Sequence, residues 1–283
     1  EPCRLSSQSE PSYRAAHYLH ELDVNTAAEL NQATKCHGIT RFELLSAALS
    51  LTLQRYTNHT HPSLMVQALN RSARHRRNVG FYVSNVVLGQ RCKATRRVSD
   101  YLQATRATLK QSLQFAAQPL EKLCGELALP TFAFNFRSHG EGLNVTTADF
   151  QLQFQEFPVV ETPFELVLDV VASDQLTLRF VYAEDKFSAD FIEDFVASYQ
   201  HILQGLCQQP LASLASLDGL SAPQQIQLEQ FAGSNEEWSP VLFTELFARQ
   251  VLEQPQAIAL KHGSQTLSYQ QLDQRSNQLA HCL

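Results

Sequence analysis

Residues 164–206 read FELVLDVVASDQLTLRFVYAEDKFSADFIEDFVASYQHILQGL, and the apolar period changes part-way along. FELVLDVV is almost evenly apolar, the pattern of a strand buried on both faces. QLTLRFVY alternates and puts Leu176, Leu178, Phe180 and Tyr182 on one side. Ala172-Ser173-Asp174 between the two runs is short enough for a hairpin. From Ser188 to about Leu206 the period becomes helical, with Phe191, Phe195, Tyr199 and Ile202 on one stripe. Two paired strands followed by a helix that covers them imply an α/β layer.

Upstream, TFAFNFR puts Phe132, Phe134 and Phe136 on one strand face, and DFQLQFQ sets Phe150, Leu152 and Phe154 against three glutamines. Residues 64–69 and 79–88 read as strands, and residues 16–23 as a short one. Residues 99–115 read as a helix. TRFELLSAALSLTLQRYT reads as a mostly buried helix: Thr40 and Glu43 make a capping box, and Phe42, Leu45, Leu49, Leu53 and Tyr56 form one stripe. NTAAELNQATKCHG reads as a helix capped by Asn25 or Thr26 and stopped at Gly38. Ser221-Ala-Pro opens a short helix to about Phe231. AGSNEEWSP (232–240) reads as a linker, followed by a helix through LFTELFARQVLEQ, a strand AIALKHG and a helix through SYQQLDQRSNQLAHCL. The last forty-odd residues cannot bury much core alone.

The 283 residues carry a net charge of −6, which argues against a dedicated nucleic-acid binder. The charge is uneven. Residues 70–77 (NRSARHRR) hold four arginines and a histidine, and no acid occurs between Arg71 and Arg97. No aromatic is interleaved with these arginines, as single-strand binders require. The six cysteines include no CxxC pair, so a reduced, cytoplasmic setting is expected. No apolar run reaches membrane-spanning length, so no membrane partner is expected.

Phosphate and catalytic signatures are absent: there is no GxxxxGK[ST], no GxGxxG after a strand, and no GxSxG. His17 and His20 would face opposite sides of a strand, and no third ligand follows them or His59 and His61 at metal spacing. His139 and Glu141 share a glycine-bearing loop and read as a solvated pair rather than an acid–base couple. On residue chemistry alone no catalytic residue and no metal site is expected.

Several segments, in order, resemble the condensation domain of nonribosomal peptide synthetases. VGFYVSNVV is similar to that family's (I/V)GxFVNT, with Ser84 in place of Asn and Asn85 in place of Thr. AAQPLEKL resembles HQxxPFExL without its His, and PFELVLDV resembles KFDLxLxV. LRFVYAEDKFSADFIEDFVASYQHILQGL resembles the closing strand and helix, and ITRFELLSAALSLTLQRYT the helix that opens the second lobe. LFARQVLEQPQAIALKHGSQTLSYQQL resembles the start of an adenylation domain, with LSYQQL similar to L(T/S)YxEL, Gln271 standing in place of Glu. The family's HHxxxDG is nowhere in the sequence.

The resemblance implies a chloramphenicol-acetyltransferase-like lobe: an α/β fold with a mixed sheet flanked by helices. It divides the chain into a tail (1–15), the condensation domain's C-terminal lobe (16–222), an exit helix and linker (223–241) and a truncated adenylation start (242–283). It implies amide-bond formation between carrier-bound thioesters, with the fragment inactive alone. The implied partners are the N-terminal lobe, donor and acceptor carrier domains and the adenylation domain, and the implied cofactor is phosphopantetheine delivered by the carriers. Gly80, Tyr82, Ser84 and Asn85 would line the substrate tunnel. Arg74, Arg76 and Arg77 would meet a phosphopantetheine phosphate or an acidic carrier surface; a solvated loop is the competing reading. RSHGEGLNVTTAD stands where the family has a latch that crosses to the first lobe. A degenerate carrier-docking module and another acyltransferase of the same fold are the alternative functions.

Overall fold

The computed structural model describes residues 13–69, 71, 73–75, 77–120, 122, 129–138, 145–147, 150–152, 157–172, 175–217, 219–220, 222–232 and 242–283. The chain divides into two compact units, Glu1–Leu228 and Glu229–Leu283.

In the first unit the strands are β1 (Ala15–Glu21), β2 (Ser63–Leu69), β3 (Val83–Gly89), β4 (Phe132–Ser138), the two-residue β5 (Val145–Thr146) and β6 (Gln151–Leu152), β7 (Leu166–Ala172) and β8 (Leu176–Ala183). Six of them form one mixed sheet in the order β1-β8-β7-β4-β2-β3. β4 runs parallel to β2 and to β7, and the remaining neighbours are antiparallel. Among the described residues β5 and β6 pair with each other as a separate two-stranded sheet. The helices are α1 (Val24–His37), α2 (Arg41–Thr57), α3 (Val98–Leu113), α4 (Ala189–Gln208) and α5 (Ala222–Ala232).

Even-numbered strand residues build the main core. Leu64, Val66, Val86, Leu88, Phe134, Leu168, Leu178 and Phe180 pack there with Leu44, Leu45, Leu49, Tyr101, Phe195, Tyr199 and Ile202 of the helices. α2 is buried without a break from Glu43 to Leu53. Its polar groups are met locally: Thr52 Oγ1 donates to Ala48 O at 2.9 Å, and the Thr40–Glu43 capping box is formed in full. Tyr101 and Tyr199 are fully buried and donate their hydroxyls to carbonyls of α2, Ala47 O at 2.9 Å and Leu45 O at 3.3 Å. Burial pushes both phenol pKa values well above the ordinary range. The hydroxyl bonds answer the cost of burying these oxygens and pin the helices over the sheet.

Odd-numbered strand residues face the other way. Met65, Ala133, Val167 and Val181 form a smaller cluster with Leu120, and Phe164 and Val87 pack against it. This cluster lies toward the amino ends of the parallel strands, and Asp169 and Val171 further along the same face are buried too.

The second unit comprises α6 (Phe243–Glu253), β9 (Ile258–His262), β10 (Gln265–Ser268) and α7 (Tyr269–Cys282). β9 and β10 form an antiparallel hairpin, and no residue of α6 or α7 is buried. Among the described residues of the whole chain no helix is long and apolar enough to cross a membrane.

Several local expectations change. The N-cap of α1 is Asp23, not Asn25 or Thr26: its carboxylate accepts from the backbone N–H of Asn25 and Thr26. Aspartate one turn earlier can reach both orphan donors, and Thr26 donates its own hydroxyl to it. Residues 79–82 are not strand: β3 starts at Val83, opposite the last residue of β2, Leu69, so the chain before it has no partner. Val79 and Phe81 are fully exposed there. The strand AIALKHG is one arm of a hairpin whose second arm, β10, the sequence reading left unassigned between that strand and the helix from Ser268. Gly263, at φ +60°, makes the turn. Tyr56, placed on the buried stripe of α2, is 38% exposed, and Phe150 is 58% exposed. Arg76, His139, Glu141, residues 173–174 and the linker 233–240 lie outside the described residues.

Candidate functional site

The carboxyl ends of β2, β4 and β7 lie at one end of the sheet, where open α/β sheets take their ligands. The basic segment is the loop that leaves β2 there and returns as β3. It holds a single helical turn, Ala73–His75, and Asn78 N–H donates to His75 O at 3.0 Å.

Tyr82 organises this loop. The Arg71 guanidinium lies 4.4 Å from its ring centroid, and the His75 ring stacks on it at 6.0 Å and 24°. A Cβ on Gly80 would sit 3.1 Å from Tyr82 Cε2, so glycine is what lets the backbone pass the ring. The basic residues therefore fall into two groups. Arg71 and His75 hold the tyrosine, while Arg74 and Arg77 are exposed.

β3 sends its candidates to opposite faces. Ser84 pairs with Ala68 and is half-buried on the helix-covered side, whereas Asn85 pairs with Gln67 and is exposed on the other. Asn85 and Gln67 begin a polar row on the second face. Asn135 of β4, Asp169 of β7 and Arg179 of β8 continue it in register. Asp169 is 7% exposed. Its Oδ1 accepts from Arg137 Nε at 2.9 Å, its Oδ2 accepts from Arg137 Nη2, and Arg179 Nη1 stands 3.9 Å from Oδ2. A buried carboxylate is costly unless such donors surround it. The sequence reading missed this row. Its signal was the single Asp169 in LVLDVV and the single Arg179 in LTLRFV, charged residues inside otherwise apolar runs.

Among the described residues no group of His, Cys, Asp and Glu can hold a metal ion. His17 and His20 lie on opposite faces of β1, and His61 Nε2 accepts from Arg91 Nε at 2.7 Å. Among the described residues the site offers guanidiniums, carboxamides, hydroxyls and the buried Asp169 carboxylate: a surface that binds and aligns, with no nucleophile–base pair among them.

Residues 2–229 match the condensation domain family. The chain belongs to that family. It is 26% identical to gramicidin S synthase 2 of Brevibacillus brevis over 270 residues, covering 91% of this chain and 6% of that protein. Against surfactin synthase subunit 2 of Bacillus subtilis (strain 168) the identity is 22%, over 100% of this chain and 8% of the relative. The condensation-domain chain thus spans a small part of the length of the curated relatives it matches. Among solved structures, a four-domain nonribosomal peptide synthetase bound to AMP and glycine superposes with TM-score 0.70 at 20% identity, over 96% of this chain and 23% of that one. The condensation domain from Monacolin K polyketide synthase gives TM-score 0.60 at 20% identity, over 75% of this chain and 52% of that one. These likenesses are of fold: the mixed sheet flanked by helices is the condensation-domain fold.

Proposed function

We propose that this chain is the C-terminal lobe of a nonribosomal peptide synthetase condensation domain, and that it takes part in amide-bond formation between two carrier-bound thioesters. The observation that carries the reading is the polar row of Asn85, Gln67, Asn135, Asp169 and Arg179 on the sheet's second face, next to the apolar cluster of Met65, Ala133, Val167 and Val181. A face of this kind closes against a second lobe, which supplies the family's HHxxxDG and excludes water from the aligned substrates. The share covered in the Monacolin K condensation domain, about half of that chain, is in keeping with one lobe of two.

In this reading Asn85 stands on the wall of the channel, and Gly80, Tyr82 and Ser84 shape its rim at the start of β3. Arg74 and Arg77, with Arg76 between them in sequence, draw in the phosphodiester of a phosphopantetheine arm or the acidic surface of its carrier domain. The second unit is the start of an adenylation domain, whose remaining layers cover the apolar side chains exposed on α6 and β9. The setting is cytoplasmic.

The test is a single-turnover assay in the intact synthetase with donor and acceptor carriers loaded. Mass spectrometry of the acceptor carrier shows a lengthened peptidyl chain, and Arg74→Ala with Arg77→Ala slows its appearance. Carriers that bind with no chain transfer would favour the non-catalytic docking module.

A further inference from the structure

We propose that a small cavity at the end of β1, between α1 and α4, is a binding site for the ammonium group of a small, diffusible primary alkylamine. This site goes beyond the function proposed above and does not depend on it. β1 and β3 are the two edges of the six-stranded sheet, so the cavity stands apart from the β2–β3 loop.

On its helix-covered face β1 carries Ala16 and Tyr18, which pack on the main core, and then His20. Leu22 follows, buried, and Asp23 caps α1. Across from them α4 presents Ala197, Gln200, His201 and Gln204, which helical spacing places on one ridge. These residues, with Thr26, line a cavity of about 240 Å³. That is below the roughly 300–1,000 Å³ of sites that enclose a drug-sized ligand, so it takes a head group. Packing does not call for a polar seam here. The core side of α4 is already complete with Phe195, Tyr199, Ile202 and Leu206 buried. Two imidazoles and two carboxamides nevertheless meet at the seam. Among the described residues the side chains of His20, Gln200, His201 and Gln204 have no hydrogen-bond partner.

The charge around the cavity has one sign. Asp23 lines it, and no lysine or arginine is among its walls. Asp23 accepts hydrogen bonds from the backbone N–H groups of Asn25 and Thr26 and from the Thr26 hydroxyl, which hold it as a carboxylate. Asp23 and Glu21 both act on the His20 ring, yet burial outweighs them and keeps its pKa below the ordinary imidazole value. At neutral pH His20 therefore offers a lone pair, and Gln200 and Gln204 offer amide oxygens. Acceptors in a negative field suit a cation that brings several N–H donors, and a primary ammonium brings three. An anion would meet Asp23. A metal ion would lack ligands, since among the described residues no three His, Cys, Asp or Glu side chains gather to hold one. The titratable groups facing His20 are Asp23 and Glu21 from its own segment and, across the cavity, His201 of α4.

The test uses the purified chain with labelled histidine, titrated with n-butylammonium chloride at neutral pH and constant ionic strength. The ring signals of His20 and His201 move together and saturate, with a dissociation constant on the order of millimolar, as suits so few ligand atoms. Tetramethylammonium carries the same charge without an N–H donor and binds about tenfold more weakly. Butylammonium affinity falls on acidification in step with the titration of the His20 ring, because protonation turns an acceptor into a cation. His201→Phe and, separately, the exposed Gln204→Ala each weaken binding; a urea melt of each variant separates lost binding from lost folding, and Gln204→Ala leaves the midpoint unchanged. Equal responses to the two ammonium ions overturn the proposal in favour of simple screening of Asp23. Saturable ring shifts with sodium acetate and none with butylammonium overturn it in favour of an anion site. Ring signals that stay still throughout the butylammonium titration overturn it outright.

Discussion

Arg71 lays its guanidinium over the ring of Tyr82, 4.4 Å from its centre, and so ties the start of the β2–β3 loop to its end. A partly exposed pair of this kind contributes about 0.5–1 kcal/mol. Arg71→Met should therefore raise amide exchange at residues 73–80 by roughly 2- to 5-fold, the same free energy expressed as local opening. The melting temperature should hardly move, because the loop lies outside the core. Unchanged exchange in that segment would show that the loop owes its shape to something else.

The exposed arginines make a different forecast. Arg74 and Arg77 have no part in holding Tyr82, so replacing both by alanine should leave the urea midpoint where it is. Binding of a phosphopantetheinylated carrier domain should weaken and lose much of its salt dependence, since exposed charges act through a field that salt screens over about 8 Å at physiological ionic strength. A binding curve measured at low and high sodium chloride for wild type and variant checks this. An equally steep salt dependence in the variant would assign the attraction to other residues.

Tyr101 tests the core. Its hydroxyl donates to Ala47 O and accepts from Cys92 Sγ at 3.6 Å, all buried. Tyr101→Phe should cost about 1 kcal/mol for the lost hydrogen bond, and Tyr101→Ala about 3–5 kcal/mol with the cavity included. Denaturant melts give both numbers. A Phe variant as destabilised as the Ala variant would mean that the hydroxyl, not the ring, anchors α3 to α2.

Stability should also depend on pH through His20, whose pKa is lowered, chiefly by burial and against the pull of Asp23 and Glu21. A lowered folded-state value means that the unfolded chain binds the proton more readily. The contribution is complete above the unfolded value of about 6.5 and is lost as pH falls below it toward the folded value. His20→Gln should flatten the stability profile just below pH 6.5. A variant profile parallel to wild type there would exclude His20 as its source.

What the sequence disclosed follows from distance along the chain. Thr40 and Glu43 announce their capping box because both partners lie within one turn, and Phe132, Phe134 and Phe136 announce their face because alternation is local. The two-faced pattern of β7 and β8 was equally plain. Asp169 was not legible as a site: its partners, Arg137 and Arg179, come from other strands, and only the sheet register brings them together. The same holds for Arg71 and Tyr82, which read as loop charge and a tunnel-lining ring with no sign of their contact until the loop folds back. β10 was lost because QTLS is four residues long and runs straight into the cap of α7, where helical period dominates.

The central claim is that the polar row on the sheet's second face and the β2–β3 loop together form the working surface of a condensation lobe. Chemical-shift mapping of the labelled chain against a phosphopantetheinylated carrier domain tests it most directly. The account predicts shifts at Arg74, Arg77, Asn85 and their neighbours around the carboxyl ends of β2 and β4, and none on the solvent side of α3 and α4. Shifts confined to that helical layer, or none anywhere, would contradict it.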